Sequence, residues 1–344
     1  MPSLLEHDIA SQPTVIRELL RREMPLMSAL CAGLPPCGYV LIAARGSSDH
    51  AALYAKYVWA ILAGYPVALA APSVHTLYHA TPRMDGALVI GISQSGQSPD
   101  IVAVLEAGRR QGRPTIAITN DPASPLAGVA DHVIELGVEA EITVAATKTY
   151  TAQLAVIAML AAAWSGRPER LAELDTLPDA LEATLRATEP IAEQAQRYRE
   201  MASCVVIGRG YNYATAREVA LKLKELTYTM ATAYSSADFR HGPIATVEPG
   251  TPALLCMPSG ATYADMRDLA EDLRRRQADL LVISDVAEAL SLAQTSLPLP
   301  APVPEWLSPI TAVVPGQALA LRLALARGFD PDVPRGLHKV TRTL

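Results

Sequence analysis

The sequence predicts an α/β protein in which a parallel sheet is covered by helices on both faces. Tyr39–Ala44 and Ala87–Ile92 are apolar at nearly every position, which is typical of strands buried on both faces. Each run is followed by a polar turn and then by a segment with helical spacing. Alternation of this kind indicates a parallel sheet, and 344 residues leave room for about two such domains.

Composition narrows the classes of partner. A net charge of −6 offers no electrostatic attraction to nucleic acid. Apolar stretches such as Val58–Leu62 and Ala152–Trp164 are too short or interrupted to span a membrane. The first residues carry no basic segment followed by an apolar core, and the four cysteines include no CxxC pair. We therefore expect a cytoplasmic protein with reduced thiols and with neither a nucleic acid nor a membrane as partner.

The first half of the chain divides into alternating helices and strands. Residues 4–33 have helical spacing, and Pro35-Pro36 ends that segment. The predicted strands that follow are residues 39–44, 66–70, 87–92, 113–119 and 131–136. From Lys148 to about Tyr198 the pattern is again helical with a break near Pro168, and residues 152–164 are so apolar that we expect a helix buried between domains or subunits.

The second half of the chain repeats the first. Arg209-Gly210 lies 164 positions after Arg45-Gly46, and Gly260 lies 164 positions after Gly96. Both pairs follow similar apolar runs, so the sequence predicts duplication of one α/β unit. The second copy has lost most of its hydroxyl groups, since Tyr211-Asn212 and Met257-Pro258 stand where the first copy has serines. We therefore expect one copy to bind a ligand and the other to serve a different purpose.

The turn Ser93-Gln94-Ser95-Gly96-Gln97-Ser98 is the first candidate site. It joins a buried strand to a helix, so its amides and hydroxyls lie at the positive end of a helix dipole, where phosphate binds well. It has neither the lysine of a Walker loop nor the spacing of a dinucleotide fingerprint. Ser47-Ser48 follows another strand at the same edge of the sheet. An ordinary capped turn is the alternative, but the degraded second copy argues against it.

The second candidate site lies in the repeat. Glu218, Lys222 and Glu225 share one helix face, and this pattern taken alone favours a solvated face with ion pairs. His241 precedes Gly-Pro in a turn, and a carboxylate with an imidazole can open a hemiacetal and move a proton between neighbouring carbons. His75 and His79 have the spacing of two metal ligands but lack a third, so we predict no metal. The proline-interrupted residues 331–344 form either a frayed tail or a cover for an anionic site.

These residues together resemble the sugar isomerase (SIS) family, in particular the isomerase half of glucosamine-6-phosphate synthases and the stand-alone glucosamine-6-phosphate deaminases. The resemblance covers residues 10–344, and its most specific motifs are Ser93–Gly96, Glu141–Thr149, Ala220–Glu225, Arg240–Pro243 and Leu337–Lys339. It implies two tandem SIS domains, each a flavodoxin-like three-layer α/β/α sandwich with a mainly five-stranded parallel sheet. The implied division is an N-terminal helical segment (1–34), two SIS domains (35–175 and 196–330) and a tail (331–344).

The resemblance also implies roles for individual residues. The phosphate-binding positions are Ser47, Ser48, Ser93, Gln94, Ser95 and Ser98. The sugar-contacting positions are Val144, through its backbone, and His338. Glu225 matches the base that moves a proton between C1 and C2, and His241 matches a ring-opening histidine supplied by the neighbouring subunit of a homodimer. Lys339 matches a tail lysine that can form an imine with a ketose, and Lys222 matches a lysine that lines the pocket. No cofactor is implied.

The sequence departs from the family pattern at two positions near the expected sugar. Ala146 replaces a serine, and Asp49 replaces an aromatic residue. The sequence shows no glutaminase domain and no early nucleophilic cysteine, so we expect deamination or isomerisation instead of synthesis from glutamine. The leading hypothesis is conversion of glucosamine 6-phosphate to fructose 6-phosphate and ammonia. The alternatives are an aldose–ketose isomerase or deaminase of another sugar phosphate, and a non-catalytic sugar-phosphate sensor.

Overall fold

A computed structural model describes residues 3–339 of the protein. Contacts divide this part of the chain into two compact units, each with one sheet. The first-sheet unit comprises Val15–Glu141, Lys148–Asp175 and residues 338–339. The second-sheet unit comprises residues 3–14, Ile142–Thr147 and Thr176–Leu337. Each unit is therefore discontinuous in sequence, and the boundaries predicted at residues 34, 175 and 196 stay predictions.

The chain up to residue 175 contains five strands and eight α-helices among the described residues. They are α1 (Leu4–Ala10), α2 (Gln12–Gly33), β1 (Tyr39–Ala44), α3 (Ser47–Leu62), β2 (Val67–Leu69), α4 (Ser73–Thr76), β3 (Ala87–Ile92), α5 (Pro99–Arg110), β4 (Thr115–Thr119), α6 (Pro125–Val129), β5 (His132–Glu135), α7 (Lys148–Ser165) and α8 (Pro168–Leu174). The strands form a parallel sheet in the order β2-β1-β3-β4-β5. Every predicted strand is present, and three are shorter by one or two residues at an end.

The remaining described residues repeat this arrangement. They form α9 (Leu177–Ala187), α10 (Ile191–Gln194), β6 (Ser203–Gly208), α11 (Asn212–Thr227), β7 (Met230–Ser235), α12 (Ser236–Arg240), β8 (Pro252–Cys256), α13 (Tyr263–Arg275), β9 (Asp279–Ser284), α14 (Ala287–Ser291), β10 (Thr295–Pro298) and α15 (Ser308–Ala326), with 3-10 turns at Ala195–Tyr198, Pro243–Thr246 and Glu305–Leu307. The second sheet is parallel in the order β10-β9-β8-β6-β7. Read in the opposite direction, the second order is β7-β6-β8-β9-β10. When the strands of each unit are numbered from one to five, both sheets have the order 2-1-3-4-5. The predicted duplication and fold class are thus confirmed.

The first-sheet unit is held by close packing of α5 on the central strands. All six residues of β3 are buried, and so are all five of β4. A side chain at Gly91 would bring its Cβ within 2.8 Å of the Leu105 side chain, so glycine lets α5 approach the sheet. Val104 and Leu105 fill the space that this leaves, and neither is exposed to solvent. Burial of this kind is the main stabilising term of a parallel α/β sandwich.

The two most apolar helices are core helices of their own units. α7 is buried along nearly its whole length, and within the first-sheet unit the Trp59 indole donates a hydrogen bond to the Ile157 carbonyl of α7 (2.9 Å). In the second-sheet unit, Gly316 lets α15 approach Val219 of α11, because a Cβ at Gly316 would lie 2.2 Å from that side chain. The segment Glu305–Ala326 is long and apolar enough to cross a membrane, but 83% of its apolar window is buried inside the structure, as in a core helix.

Arg327 closes the end of α15 onto the second-sheet unit. Its guanidinium donates to the backbone carbonyls of Arg199 (2.8 Å), Thr227 (2.6 Å), Tyr198 (3.2 Å) and Met201 (2.5 Å). The Thr227 carbonyl belongs to the last turn of α11, where a cation also offsets the helix dipole. Partial burial lowers the pKa of Arg327. One side chain therefore ties α15, α11 and the segment before β6 together.

Replacing Arg327 with Met should destabilise the protein by about 3 kcal/mol, because several carbonyls lose a charged donor at once. Arg186→Met is the matched control. Arg186 makes an exposed i,i+4 pair with Glu182, so its loss should stay within about 0.5 kcal/mol. Urea unfolding followed by circular dichroism measures both variants. Equal stability of the two would contradict the anchoring role of Arg327.

Candidate functional site

The switch point of the first sheet brings the two hydroxyl-rich turns together. β1 lies between β2 and β3, and the chain reverses its direction of winding between β1 and β3. Ala44 and Ile92, the last residues of these strands, are partners in register. Ser47-Ser48 and Ser93–Ser98 therefore leave the sheet side by side at its carboxyl edge. Open α/β sheets bind their ligands at this position.

The turn Ser93–Ser98, here called the hydroxyl loop, directs its carbonyls into the protein. The carbonyls of Gln94 and Gly96 accept hydrogen bonds from the amides of Asn120 (3.0 Å) and Leu126 (3.1 Å). The Ser93 hydroxyl accepts from the Gly96 amide at 3.1 Å. Ser98 is the N-cap residue of α5, yet its side chain makes no capping hydrogen bond. Its hydroxyl is thus left at the positive end of a 12-residue helix, where an anion is stabilised.

Gly96 is required by the shape of the hydroxyl loop. Its φ is +61°, a left-handed conformation that side chains rarely adopt. An added Cβ would lie 2.1 Å from the Ser124 hydroxyl and 3.0 Å from the Thr119 hydroxyl. Both neighbours belong to the sheet edge behind the loop. A larger residue would therefore push the loop outward and disperse its amides and hydroxyls.

Two side-chain contacts that the sequence did not predict hold the first turn, Ser47-Ser48, at the same end of the sheet. The Ser48 hydroxyl accepts a hydrogen bond from the Gln153 side chain of α7 at 3.0 Å. Arg45 donates from Nε to the buried Asp100 carboxylate at 2.8 Å, which joins the end of β1 to the start of α5. Arg45 stood within a turn that the sequence singled out, but its partner is 55 residues away, and no local pattern reveals such a pair.

Gly96→Ala should weaken binding of a sugar phosphate by on the order of tenfold or more, because each hydrogen bond to a charged ligand contributes about 1.5–3 kcal/mol. Gly128→Ala is the control, since nothing lies within 4 Å of an added Cβ there. Isothermal titration with fructose 6-phosphate compares the two. Unchanged affinity in Gly96→Ala would show that the loop does not hold the phosphate.

The corresponding loop of the second-sheet unit is filled by the protein's own carboxylates. The Ser259 amide and hydroxyl donate to Asp285 at 2.6 and 2.5 Å. The Ala261 amide donates to Glu305 at 2.9 Å, and a Cβ at Gly260 would lie 2.2 Å from the Glu305 carboxyl carbon. The loop geometry that favours an anion thus survives in the second copy, but side chains supply the anion. The second copy, which lacks most of the hydroxyl groups of the first, therefore binds its own Asp285 and Glu305 in this loop.

The charged face of α11 is a buried ion triad. Lys222 Nζ lies 3.3 Å from a Glu218 oxygen and 2.6 Å from a Glu225 oxygen. The side chains of Glu218 and Lys222 are wholly buried, whereas that of Glu225 is 21% exposed. The solvated-surface interpretation of this face is therefore wrong. Burial alone would lower the pKa of Lys222, but the Glu218 and Glu225 carboxylates outweigh it and raise the pKa.

Within the triad, Glu225 is both ion-paired and partly accessible to solvent. Lys222 stays charged, and a buried cation between two carboxylates satisfies one oxygen of Glu225 while part of that side chain reaches solvent. A carboxylate held in this way keeps a fixed position and one accessible face. That combination suits a general base, which must be both oriented and within reach of a substrate.

His241 ends α12 in the same unit and is exposed. The neighbouring Arg240 donates to the Asp265 side chain at 2.5 Å and to the Asp265 carbonyl at 3.0 Å, and the Ser236 hydroxyl donates to the same carboxylate. Partial burial of Asp265 would raise its pKa, but the hydrogen bonds from Ser236 and Arg240 hold that pKa below its usual value. Asp265 therefore clamps both ends of the short helix that carries His241.

The strand β7 separates Glu225 from His241 in the second-sheet unit. Glu225 precedes the start of β7, and His241 follows its end. The six residues of β7 span roughly 20 Å. A full strand therefore separates the positions of Glu225 and His241 along the chain.

The remaining predicted sugar contacts fall in different units. Val144 and Ala146, which differs from the family pattern, lie in the segment Ile142–Thr147 of the second-sheet unit. In this segment the Thr143 hydroxyl donates a hydrogen bond to the Asp8 carboxylate at 2.8 Å. His338 is exposed and Lys339 partly exposed, and both belong to the first-sheet unit. Lys339 pairs with Glu141 at 3.1 Å. Sequence reasoning gave Glu141 no role, although it opens one of the motifs quoted above.

The candidate metal ligands His75 and His79 are not on one helix. α4 ends at Thr76, and His79 has a positive φ of 49°. Among residues 3–339, no group of three or more His, Cys, Asp or Glu side chains has the arrangement of a metal site. Partial burial, with a smaller effect of Arg110, lowers the pKa of His75.

Comparison with known proteins assigns the chain to a family. The family model of the SIS domain matches residues 34–163 and again residues 198–327. The chain belongs to the SIS-domain family. The predicted resemblance is therefore confirmed, and the two matches each contain one of the two parallel sheets.

Individual SIS relatives agree with this assignment. The isomerising glutamine–fructose-6-phosphate aminotransferase of Thermococcus kodakarensis is 34% identical over 348 residues, which cover 98% of this chain and 58% of the relative. The chain thus spans a little over half the length of the curated relatives it matches. A solved structure described as a candidate phosphosugar isomerase of Silicibacter pomeroyi has a TM-score of 0.86 and 34% identity, covering 96% of this chain and all of the other.

A further solved structure, the glucosamine-6-phosphate deaminase of Thermotoga maritima, shares the fold with a TM-score of 0.80 at 23% identity, covering 99% of this chain and all of that one. The curated relatives carry the name of isomerising glutamine–fructose-6-phosphate aminotransferases. These relatives support the predicted enzyme class, a SIS-family phosphosugar isomerase.

Proposed function

We propose that this SIS protein is a phosphosugar isomerase with deaminase activity that converts glucosamine 6-phosphate and water to fructose 6-phosphate and ammonia. The observation that carries the proposal is the state of Glu225, a carboxylate fixed 2.6 Å from a buried lysine and still 21% exposed. The hydroxyl loop at the switch point of the first sheet supports a phosphorylated ligand. The name of the Thermotoga maritima neighbour agrees with this substrate, although that likeness concerns the fold.

The proposed reaction follows from proton transfers alone. An imidazole, His241, moves the proton that opens the sugar ring. Glu225 then takes the proton from C2 and returns it to C1, while the amine nitrogen gives up a proton and the C1 aldehyde oxygen takes one up, so that C2 becomes an imine carbon and C1 carries a hydroxyl group. Water adds to this imine, the C–N bond breaks, and ammonia leaves with C2 as a ketone. Lys222 keeps the base in position, and Lys339, His338 and the Val144 backbone contact the open-chain sugar.

The proposal includes a homodimer in which His241 serves the site of the partner subunit. It is supported by the separation of Glu225 and His241 along β7 within one chain, roughly 20 Å for a strand of this length. A second copy with closed two-fold symmetry would complete two equivalent sites. We also propose a cytoplasmic location, which agrees with four unpaired cysteines of which two are buried.

The first test is turnover. Purified protein incubated with glucosamine 6-phosphate should release equal amounts of ammonia and fructose 6-phosphate. Glu225→Gln should reduce the rate by about 10²–10⁴-fold, the usual contribution of a general base, while calorimetry still detects sugar-phosphate binding. The control Glu248→Gln changes an exposed carboxylate and should keep full activity.

The protein could form product from another phosphosugar and none from glucosamine 6-phosphate. That result would contradict the proposed substrate and favour the second candidate function, an aldose–ketose isomerase or a deaminase of a different sugar phosphate. The second candidate function is supported by Ala146, which stands where the family has a serine and so removes a hydroxyl from the expected sugar pocket. Binding without turnover of any phosphosugar would instead indicate a non-catalytic sensor.

The second test concerns the shared site. Glu225→Gln and His241→Ala chains are each expected to be inactive. After mixing and subunit exchange, half of the dimers are mixed and each has one intact site, so about a quarter of wild-type activity should return if His241 acts across a two-fold interface. Activity assays before and after exchange measure this. No recovery, with exchange verified by mass spectrometry, would mean that His241 does not act in the partner's site.

A further inference from the structure

We propose that Glu141 is the positioning residue that seats the tail lysine, Lys339. Lys339 Nζ donates to a Glu141 oxygen at 3.1 Å. The Glu141 side chain is wholly buried, whereas that of Lys339 is 24% exposed. The two partners are 198 residues apart in sequence and belong to the same first-sheet unit. A carboxylate at this depth requires partners, since an unpaired buried charge is strongly destabilising.

Glu141 is held in place by the start of α7, independently of the tail. The Thr149 hydroxyl donates to one Glu141 oxygen at 2.5 Å, and the Thr149 amide donates to the other at 3.4 Å. Thr149 lies in the first turn of an 18-residue helix, where unpaired amides and the helix dipole both favour a negative group. The Glu141 carboxylate therefore has a fixed position before the Lys339 ammonium binds to it.

The tail that carries Lys339 contains neither helix nor strand from residue 331 to residue 339. Its earlier part is anchored in the second-sheet unit. Asp332 accepts hydrogen bonds from the amides of Leu4 and Leu5, both at 2.9 Å. Arg335 donates its amide to the Tyr228 hydroxyl at 2.9 Å, and its guanidinium stacks 3.9 Å from that ring. Neither anchor fixes an ammonium group four residues further on.

A lysine side chain loses considerable conformational freedom when its ammonium is held at one point. The ion pair with Glu141 offsets that loss before any substrate arrives. In the reaction proposed above, on which this catalytic part rests, Lys339 meets the open-chain sugar. Holding a reacting group close to its target is a large source of rate enhancement. Glu141 would thus act through Lys339 without touching the substrate.

The seat itself is testable without any substrate. Wild type, Glu141→Gln and Glu139→Gln are treated with formaldehyde and cyanoborohydride, and the methylation rate of each lysine is measured by peptide mass spectrometry. The exposed residues Lys56 and Lys224 are internal references, and Glu139 is an exposed carboxylate two positions from Glu141. We expect Lys339 to react several-fold faster in Glu141→Gln only. An unchanged Lys339 rate would overturn the proposal.

The positioning role is tested by a double-mutant cycle with glucosamine 6-phosphate. Glu141→Gln should lower kcat on the order of tenfold with a smaller change in KM, and Glu141→Asp should recover part of the loss. In a Lys339→Met background, Glu141→Gln should change kcat less than about twofold, because coupled residues are not additive. A full tenfold loss in that background would mean that Glu141 acts without Lys339, and would overturn the proposal.

The two arms separate the possible failures. If wild type does not turn over glucosamine 6-phosphate, the proposed function fails and the methylation rates alone decide whether Glu141 seats Lys339. Glu141→Gln removes a buried charge and leaves a lysine that can return to water, so we expect the variant to fold. If its circular dichroism differs from wild type, Thr149→Val, which removes the hydroxyl that orients Glu141, replaces it in both arms.

Discussion

The parallel pairing of β1 with β3 is the constraint on which the proposed phosphate site depends. It aligns Ala44 with Ile92, so that two turns from separate parts of the chain leave the sheet at the same point. The close approach of α5, which Gly91 permits, then fixes the end of the hydroxyl loop to a helix N-terminus. Arg45 and Asp100 join the two turns across this junction. An anion at this junction meets amides and hydroxyls that are already oriented.

Duplication created this junction twice, and the two copies have diverged in what they offer an anion. In the second copy, Asp285 and Glu305 accept the hydrogen bonds of the loop amides. The loop is thereby satisfied internally and contributes to the stability of its own unit. The groups of that unit that we propose as acid and base lie elsewhere, on α11 and after α12. In this proposal the same backbone topology serves ligand binding in one copy and presentation of acid–base groups in the other.

Buried ion pairs hold two of the side chains to which we assign a role in the proposed reaction. Lys222 forms ion pairs with two carboxylates of one helix, and Glu218 is wholly buried while Glu225 remains partly accessible. A comparable arrangement recurs at Glu141, where a helix start and Lys339 share one buried carboxylate. In both places a deeply held charge fixes a more exposed partner. This arrangement orients a reactive group at the surface without filling the site.

Much of this organisation follows from the sequence by itself. Apolar runs, polar turns and the repeated Arg-Gly and Gly positions determined the strands, the parallel sheets and the duplication, because backbone pairing and burial on both faces restrict residues locally. The spacing of Glu218, Lys222 and Glu225 determined that they share a helix face. Only the tertiary structure decided that this face is buried, that Asp285 and Glu305 fill the second loop, and that Glu141 meets Lys339. Those outcomes depend on side chains brought together from distant parts of the chain, and no local pattern contains that information.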